Sequence, residues 1–214
     1  MVPTDMSTAK IGQLAATAGS LLLNEPDYGL QDTLQRAGYS VAGERQVRQL
    51  FFDRLGIPQS GLYLPPYEHV FRKRELIDGI WHFPPARYDG ALAVEQVYRV
   101  LGFQRDEVSV SPLFSGANIP GDHLGLMLVF TGLALQGIAA DDDGNMALRA
   151  AINSFIQEHL GEWVDVFCES LPLSDTNGYL GALADAVKEA SDLLKKWCTD
   201  NMRVGLPTAY ANAH

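Results

Sequence analysis

The sequence predicts an all-α fold, built as a single-domain globular helical bundle. Apolar residues recur at spacings of three and four along most of the chain, the period of a helix that buries one face. Strand-like alternation never extends convincingly beyond four residues, and no internal repeat is visible. With 214 residues, 47% of them hydrophobic, the chain is large enough to bury a sizeable core.

Two or three short helices are predicted in the first quarter of the chain, from the segments 11–22, 30–38 and 43–56. The third carries an apolar stripe and ends at Gly56, where a glycine C-cap is expected. The eleven residues from Gly56 to Pro66, GIPQSGLYLPP, contain three prolines and two glycines. That is too many for a regular element, so this segment is predicted to be a loop.

Two further helices are expected in the middle of the chain. One covers residues 67–83 and is stopped by the two prolines that follow, and the other runs from Asp89, as its cap, to Gly102. The segment 104–118 is predicted to be a linker.

A central helix is predicted over residues 119–137, because this segment is apolar nearly all round and so must be covered on every side. Gly125 and Gly132 fall on one face of it and would allow another helix to approach closely. Two last helices follow, of which the final one packs in the core. We assign residues 1–200 to one domain and 201–214 to a flexible tail.

Charge and cysteine content exclude several classes of protein. The formal net charge of −10 disfavours nucleic acid and anionic membrane surfaces as partners and favours basic ones. The two cysteines, Cys168 and Cys198, form no Cys-x-x-Cys pair, so reduced buried thiols are expected. The N-terminus has no basic segment before an apolar run, and the LLL run at residues 21–23 is far too short for a signal core or a membrane span. We therefore expect a cytoplasmic protein.

The adjacent Asp122 and His123 are the first candidate site. Asp122 is predicted to be the N-cap of the central helix, while His123 in the first turn would be neutral because a helix N-terminus disfavours positive charge. The pair is an unconvincing catalytic dyad, since neighbouring helical residues point about 100° apart. No nucleophile elbow, metalloprotease spacing or phosphate-binding glycine loop is present, so no catalytic residue and no cofactor is predicted.

Metal binding stays open as an alternative. His82, His123 and His159 with Glu158 would have to converge in space, although no ligand spacing requires it. The alternative function is accordingly a metal-dependent hydrolase that uses His123, His159, Asp122 and Glu158.

Aromatic residues in and after the loop are the second candidate site. Tyr63, Tyr67 and Phe71 either cover the core or line an exposed groove for an apolar peptide. The sequence alone leaves both readings open.

Four segments together resemble the TorD/DmsD/NarJ-type family of molybdoenzyme maturation chaperones. They are LPPYEHVF, AVEQVYRVLGF, IPGDHLGLMLVFTGLAL and FIQEHLGEWVDVFCESL, and the resemblance runs from about residue 45 to 197. The Pro-x-Asp-His element, followed by a long helix and a His-Leu-x-x-Trp segment, is specific as a set.

This resemblance implies a helical cytoplasmic chaperone, not an enzyme. Its partner would be the apo catalytic subunit of a molybdopterin oxidoreductase, bound through a twin-arginine signal peptide until the cofactor is inserted. The resemblance leaves open whether the chaperone is a monomer or a homodimer. The acid that commonly precedes the family's proline is Ile119 here.

The resemblance also implies where the client binds. An arginine pair followed by an apolar stretch needs acidic groups beside an apolar groove, so Asp122 would meet an arginine and His123 would fix the helix against the loop. The residues expected at the client-binding surface are Pro120, Asp122 and His123 of one motif, Pro66, Tyr67 and Glu68 of the other, and Tyr63, Phe71 and Trp81 nearby.

Overall fold

The computed structural model describes residues 6–114, 119–141, 145–173 and 175–204. Within these ranges the chain is all-α apart from one small hairpin. The α-helices are α1 (Thr8–Leu23), α2 (Tyr28–Arg36), α3 (Glu44–Phe51), α4 (Glu68–Phe71), α5 (Leu92–Leu101), α6 (Leu124–Ala140), α7 (Met146–His159), α8 (Trp163–Ser170) and α9 (Tyr179–Val204). The strands β1 (Glu75–Ile77) and β2 (Ile80–His82) pair in antiparallel orientation.

Helix α6 is the central element, as the sequence predicts. Every residue from Leu124 to Gly132 is buried, and exposed positions begin at Leu133. The helix begins at Leu124 rather than at residue 119, because residues 119–123 form a turn. It also continues to Ala140, three residues beyond the predicted end.

Two glycine pairs let α1 cross α6 at very short distance, which confirms the close approach predicted from Gly125 and Gly132. A Cβ added at Gly12 would lie 2.7 Å from the Gly132 carbonyl oxygen, and one at Gly19 would lie 2.5 Å from the Gly125 oxygen. Both are below 3.0 Å, a separation that real Cβ atoms essentially never show. The glycines therefore set the distance between these two helices.

The expected helix over residues 67–83 is wrong. Only the single turn α4 forms, and the chain then makes the β1–β2 hairpin. Asp78 and Gly79 take positive φ values of 50° and 78°, the conformation of a type I′ turn, for which Asp-Gly is a preferred pair. The turn chemistry overrides the helical spacing of the apolar residues around it.

Two other segments differ from expectation. The predicted linker contains short 3-10 turns at Arg105–Glu107 and Pro112–Phe114, while residues 115–118 lie outside the described residues. Helix α9 packs in the core through Val187, Leu194 and Trp197 and extends to Val204. The rest of the expected tail, residues 205–214, lies outside the described residues.

Arg54 ties the loop after α3 to the end of α8. Its buried guanidinium donates hydrogen bonds to the carbonyl oxygens of Leu62, Ser170 and Leu171. Burial lowers the pKa of Arg54 to about 10. This contact holds the loop directly before Tyr63, which lines the cavity described below. None of the helices in the described ranges is both long and apolar enough to cross a bilayer.

Candidate client-binding site

The two motifs that contain Tyr67 and His123 are joined through their main chains. Tyr67 and His123 form an isolated antiparallel bridge, in which Leu124 N–H donates to the Pro66 oxygen at 2.8 Å and Glu68 N–H to the Asp122 oxygen at 3.1 Å. The Pro-Pro-Tyr-Glu segment and the Pro-x-Asp-His segment therefore form one structural unit. Helices α4 and α6 both begin directly after this bridge, so the bridge holds their first turns side by side.

Asp122 does not cap α6, so that prediction is wrong. Its Oδ2 accepts the main-chain N–H of His69 at 2.8 Å and contacts His69 Nδ1 at 2.5 Å. His69 Nε2 accepts the Arg87 N–H, so the proton lies on Nδ1 and is donated to Asp122. Burial raises the pKa of Asp122, and the hydrogen bonds from His69 oppose that shift. The carboxylate thus holds the start of α4.

His123 is the N-cap of α6 in place of Asp122. Its Nδ1 accepts the Gly125 N–H at 3.0 Å, which leaves the proton on Nε2. Burial lowers the pKa of His123 to about 3, so the ring is neutral, as expected from the sequence. Among the described residues, Nε2 has no hydrogen-bond partner. The ring packs edge-on against Tyr67, with centroids 5.4 Å apart.

Glu68 lies in a second buried pair. Its carboxylate contacts His159 Nδ1 at 2.9 Å and Arg72 at 2.5 Å. His159 comes from the His-Leu-x-x-Trp segment, whose Trp163 indole donates to the His159 oxygen at 2.7 Å. All three sequence motifs therefore meet around α4.

A cavity of about 620 Å³ opens beside this cluster. Four of the residues predicted to bind the client line it: Tyr63, Tyr67, Trp81 and Pro120. The other lining residues are Pro58, Ser60, Pro65, His82, Phe83, Pro84, Pro85, Ala86 and Arg87. The walls are mostly aromatic rings and prolines, the composition of a site for an apolar ligand.

The remaining predicted residues lie beneath the cavity or away from it. Phe71 is fully buried and packs against Phe83, Trp163 and Phe167, so of its two readings the core one applies. Pro66, Asp122 and His123 are buried at the bridge. Glu68 instead lines a second cavity of about 660 Å³ together with Arg72 and Lys73.

Sequence reasoning missed the wall formed by residues 82–87 and the role of His69. The Asp-Gly pair at the tip of the hairpin was a usable signal for the wall, because it predicts a turn where a helix was expected. No local pattern could have identified His69, since its partner Asp122 lies 53 residues away.

The residues of the metal-dependent alternative do not converge. His123 caps α6, Asp122 binds His69, His159 binds Glu68, and Glu158 accepts from Ser154 at 2.8 Å. The described part of the chain contains no group of three or more His, Cys, Asp or Glu side chains that could hold a metal ion.

Comparison with known proteins gives one match. The profile of a family described as nitrate reductase delta subunit matches residues 25–169, about two thirds of the chain. The matched range includes α4, the hairpin, the Tyr67–His123 bridge and His159. No curated protein and no solved structure matches significantly.

Proposed function

The chain belongs to the nitrate reductase delta subunit family, the NarJ- and TorD-type chaperones of molybdoenzyme maturation, and on that premise we propose how it recognises its client. It binds the apo catalytic subunit of a molybdopterin oxidoreductase in the cytoplasm, until the cofactor has been inserted. The bound part is an N-terminal segment of that subunit, of the twin-arginine signal-peptide kind. The chain acts by binding and catalyses no reaction itself.

The observation that carries this proposal is the apolar cavity directly above the three joined motifs. Tyr63, Tyr67, Trp81 and Pro120 supply rigid apolar surface, and aromatic residues of this kind contribute most to binding at protein interfaces. Trp81 is about one third exposed, and the Arg74 guanidinium stacks on its ring at 5.0 Å from the centroid. The apolar part of the client segment lies against these rings.

Asp122 and His123 act beneath the cavity as positioning residues. Asp122 holds α4 through His69, and His123 holds the start of α6 against the Tyr67 ring. The family resemblance implied that Asp122 meets an arginine. Because Asp122 is 1% exposed and Glu68 is 5% exposed, and both have partners within the protein, we assign the arginine pair of the client to the surface outside the cavity.

Peptide titration tests the function. Fluorescently labelled N-terminal peptides of the source organism's molybdopterin oxidoreductase catalytic subunits are titrated with the protein, and anisotropy is measured. We expect one peptide to bind, and we expect Tyr63→Ala to weaken it by about tenfold or more, as for an anchoring aromatic residue. Leu133→Ala is the control, since Leu133 is half exposed on α6 and does not line the cavity.

The control variant should bind like the wild type. If no peptide binds, and none of the apo catalytic subunits co-purifies with the tagged protein, the proposed function is wrong. If Leu133→Ala weakens binding as much as Tyr63→Ala, the client binds elsewhere on the surface.

A further inference from the structure

The main chain of β2 has an edge that no strand in the described residues covers. The register pairs Ile77 with Ile80 next to the turn, and Leu76 with Trp81 one step further along. A type I′ turn is closed by a hydrogen bond between its flanking residues, here Ile77 and Ile80. Because antiparallel pairs alternate, the N–H and C=O of Trp81 point away from β1.

The cavity lies on this side of the hairpin, because residues of β2 line it and those of β1 do not. Its lining includes the consecutive residues 81–87, which lead from β2 to the 3-10 turn that begins at Tyr88. Side chains of consecutive strand residues point to opposite faces, so a cavity lined by both Trp81 and His82 lies beside the strand and not on one face of it.

The hairpin carries apolar side chains that the protein itself leaves uncovered. Leu76 is 58% exposed and Ile80 65% exposed, and Ile77 and Trp81 are exposed as well. An isolated two-stranded hairpin is marginally stable in water, and a third strand would stabilise it. These properties are typical of a sheet edge to which a peptide adds a strand.

The cavity wall determines what kind of strand fits. Apart from Arg87, the described residues that line it carry no formal charge, and most of them are aromatic rings and prolines. Pro84 and Pro85 lack an N–H and end the pairing after Phe83. The fitting ligand is therefore a short, extended, apolar stretch.

We propose that the apolar stretch of the client segment binds in extended conformation, as a third strand along the free edge of β2. This inference rests on the proposed function and specifies the conformation in which the client is recognised. The alternative is an amphipathic helix, which satisfies its own main-chain hydrogen bonds and would need only the apolar walls.

A pair of variants at one position tests the main-chain contact. Trp81→Ala and Trp81→Pro both remove the indole, but only proline removes the N–H that points toward the cavity. Proline is tolerated there because an N–H on an open edge is not needed for the hairpin. We expect Trp81→Pro to bind the client peptide about three- to tenfold more weakly than Trp81→Ala, the effect of one lost hydrogen bond.

Leu76 supplies the matched control, because its N–H points to the opposite edge of the hairpin. Leu76→Pro and Leu76→Ala should bind the peptide equally. In addition, carbon chemical shifts of a ¹³C-labelled peptide should change toward strand values on binding. Helical shifts, or equal affinities of Trp81→Pro and Trp81→Ala, would overturn the strand inference while leaving the chaperone function intact. If no peptide binds and no apo catalytic subunit co-purifies with the tagged protein, both the strand inference and the proposed function are wrong.

Discussion

His123 and Asp122 are neighbours in sequence, yet each stabilises the start of a different helix. His123 caps α6, its own helix, while Asp122 reaches across the bridge to the start of α4. The sequence predicted a polar cap before α6 but assigned it to the wrong residue, because aspartate is the commoner N-cap. A buried imidazole with an acceptor at Nδ1 performs the same function without introducing charge.

We predict that His123 makes the protein sensitive to acid. Its pKa in the folded state is about 3, against 6.5 for an ordinary histidine, so below pH 6.5 the unfolded chain takes up a proton that the folded chain does not. The stability that this group contributes above pH 6.5 is therefore lost as the pH falls from 6.5 toward 3, by at most about 1.4 kcal/mol per pH unit.

Urea unfolding at pH 7.5, 5.5 and 4.5 measures this effect in the wild type and in His123→Asn, which keeps a capping side chain. The variant should be less stable at pH 7.5, because a smaller residue leaves a gap, but it should lose less stability on acidification. The raised pKa of Asp122 acts in the opposite direction in both proteins and cancels in the comparison. If the free energies of unfolding of both proteins fall in parallel with pH, the prediction is wrong. His82→Asn is the control, because it removes an exposed imidazole.

At the scale of elements, the most apolar patterns were predictable and the short, turn-directed ones were not. The long apolar segment of α6 and the stripe of α9 were correctly predicted as buried helices, because burial of a whole face determines them. The hairpin was missed because Leu76, Ile77, Ile80 and Trp81 also fit a helical spacing. Their conformation depends on the Asp78–Gly79 turn, which only a search for turn chemistry would have identified.

The crossing of α1 and α6 gives a prediction for single methyl groups. Gly19→Ala would place its Cβ 2.5 Å from the Gly125 oxygen and 2.9 Å from Val129 N, so the two backbones must separate. We expect a loss of about 1 to 3 kcal/mol in the free energy of unfolding, despite the better helix propensity of alanine.

Gly137→Ala, in α6, is the matched control for this prediction. Nothing lies within 4 Å of its added Cβ, so we expect a gain of up to about 1 kcal/mol. Chemical denaturation of both variants compares them directly. A Gly19→Ala protein as stable as Gly137→Ala would show that the helices separate at no cost.

For the whole molecule, we expect the net charge of −10 and the apolar cavity to contribute separately to client affinity. The acidic charge attracts a basic peptide from a distance, but the two acids of the joined motifs, Glu68 and Asp122, are held by internal partners. The sequence could predict the charge and the residue types near the site. It could not predict that the two carboxylates are already paired. Asp122 pairs with His69, 53 residues away, and Glu68 pairs with His159, 91 residues away.

This separation predicts how affinity depends on salt and on the peptide. Replacing both arginines of a client signal peptide by glutamine should weaken binding by no more than about fivefold, the range of exposed ion pairs, and the difference should vanish at 500 mM salt. Replacing two or three apolar residues by serine should cost tenfold or more at any salt. Anisotropy titrations at 50 and 500 mM salt give both values, and a dominant, salt-resistant arginine effect would contradict this assignment.

The glycine-mediated contact between α1 and α6 also bears on the order of events during synthesis. About 100 residues separate Leu23 from Leu124, so α1 leaves the ribosome long before the surface it packs against exists. At about 5–20 residues per second, its apolar face waits roughly 5–20 s for a partner. A chaperone of this kind therefore itself passes through a stage in which an unpaired apolar helix needs protection from aggregation.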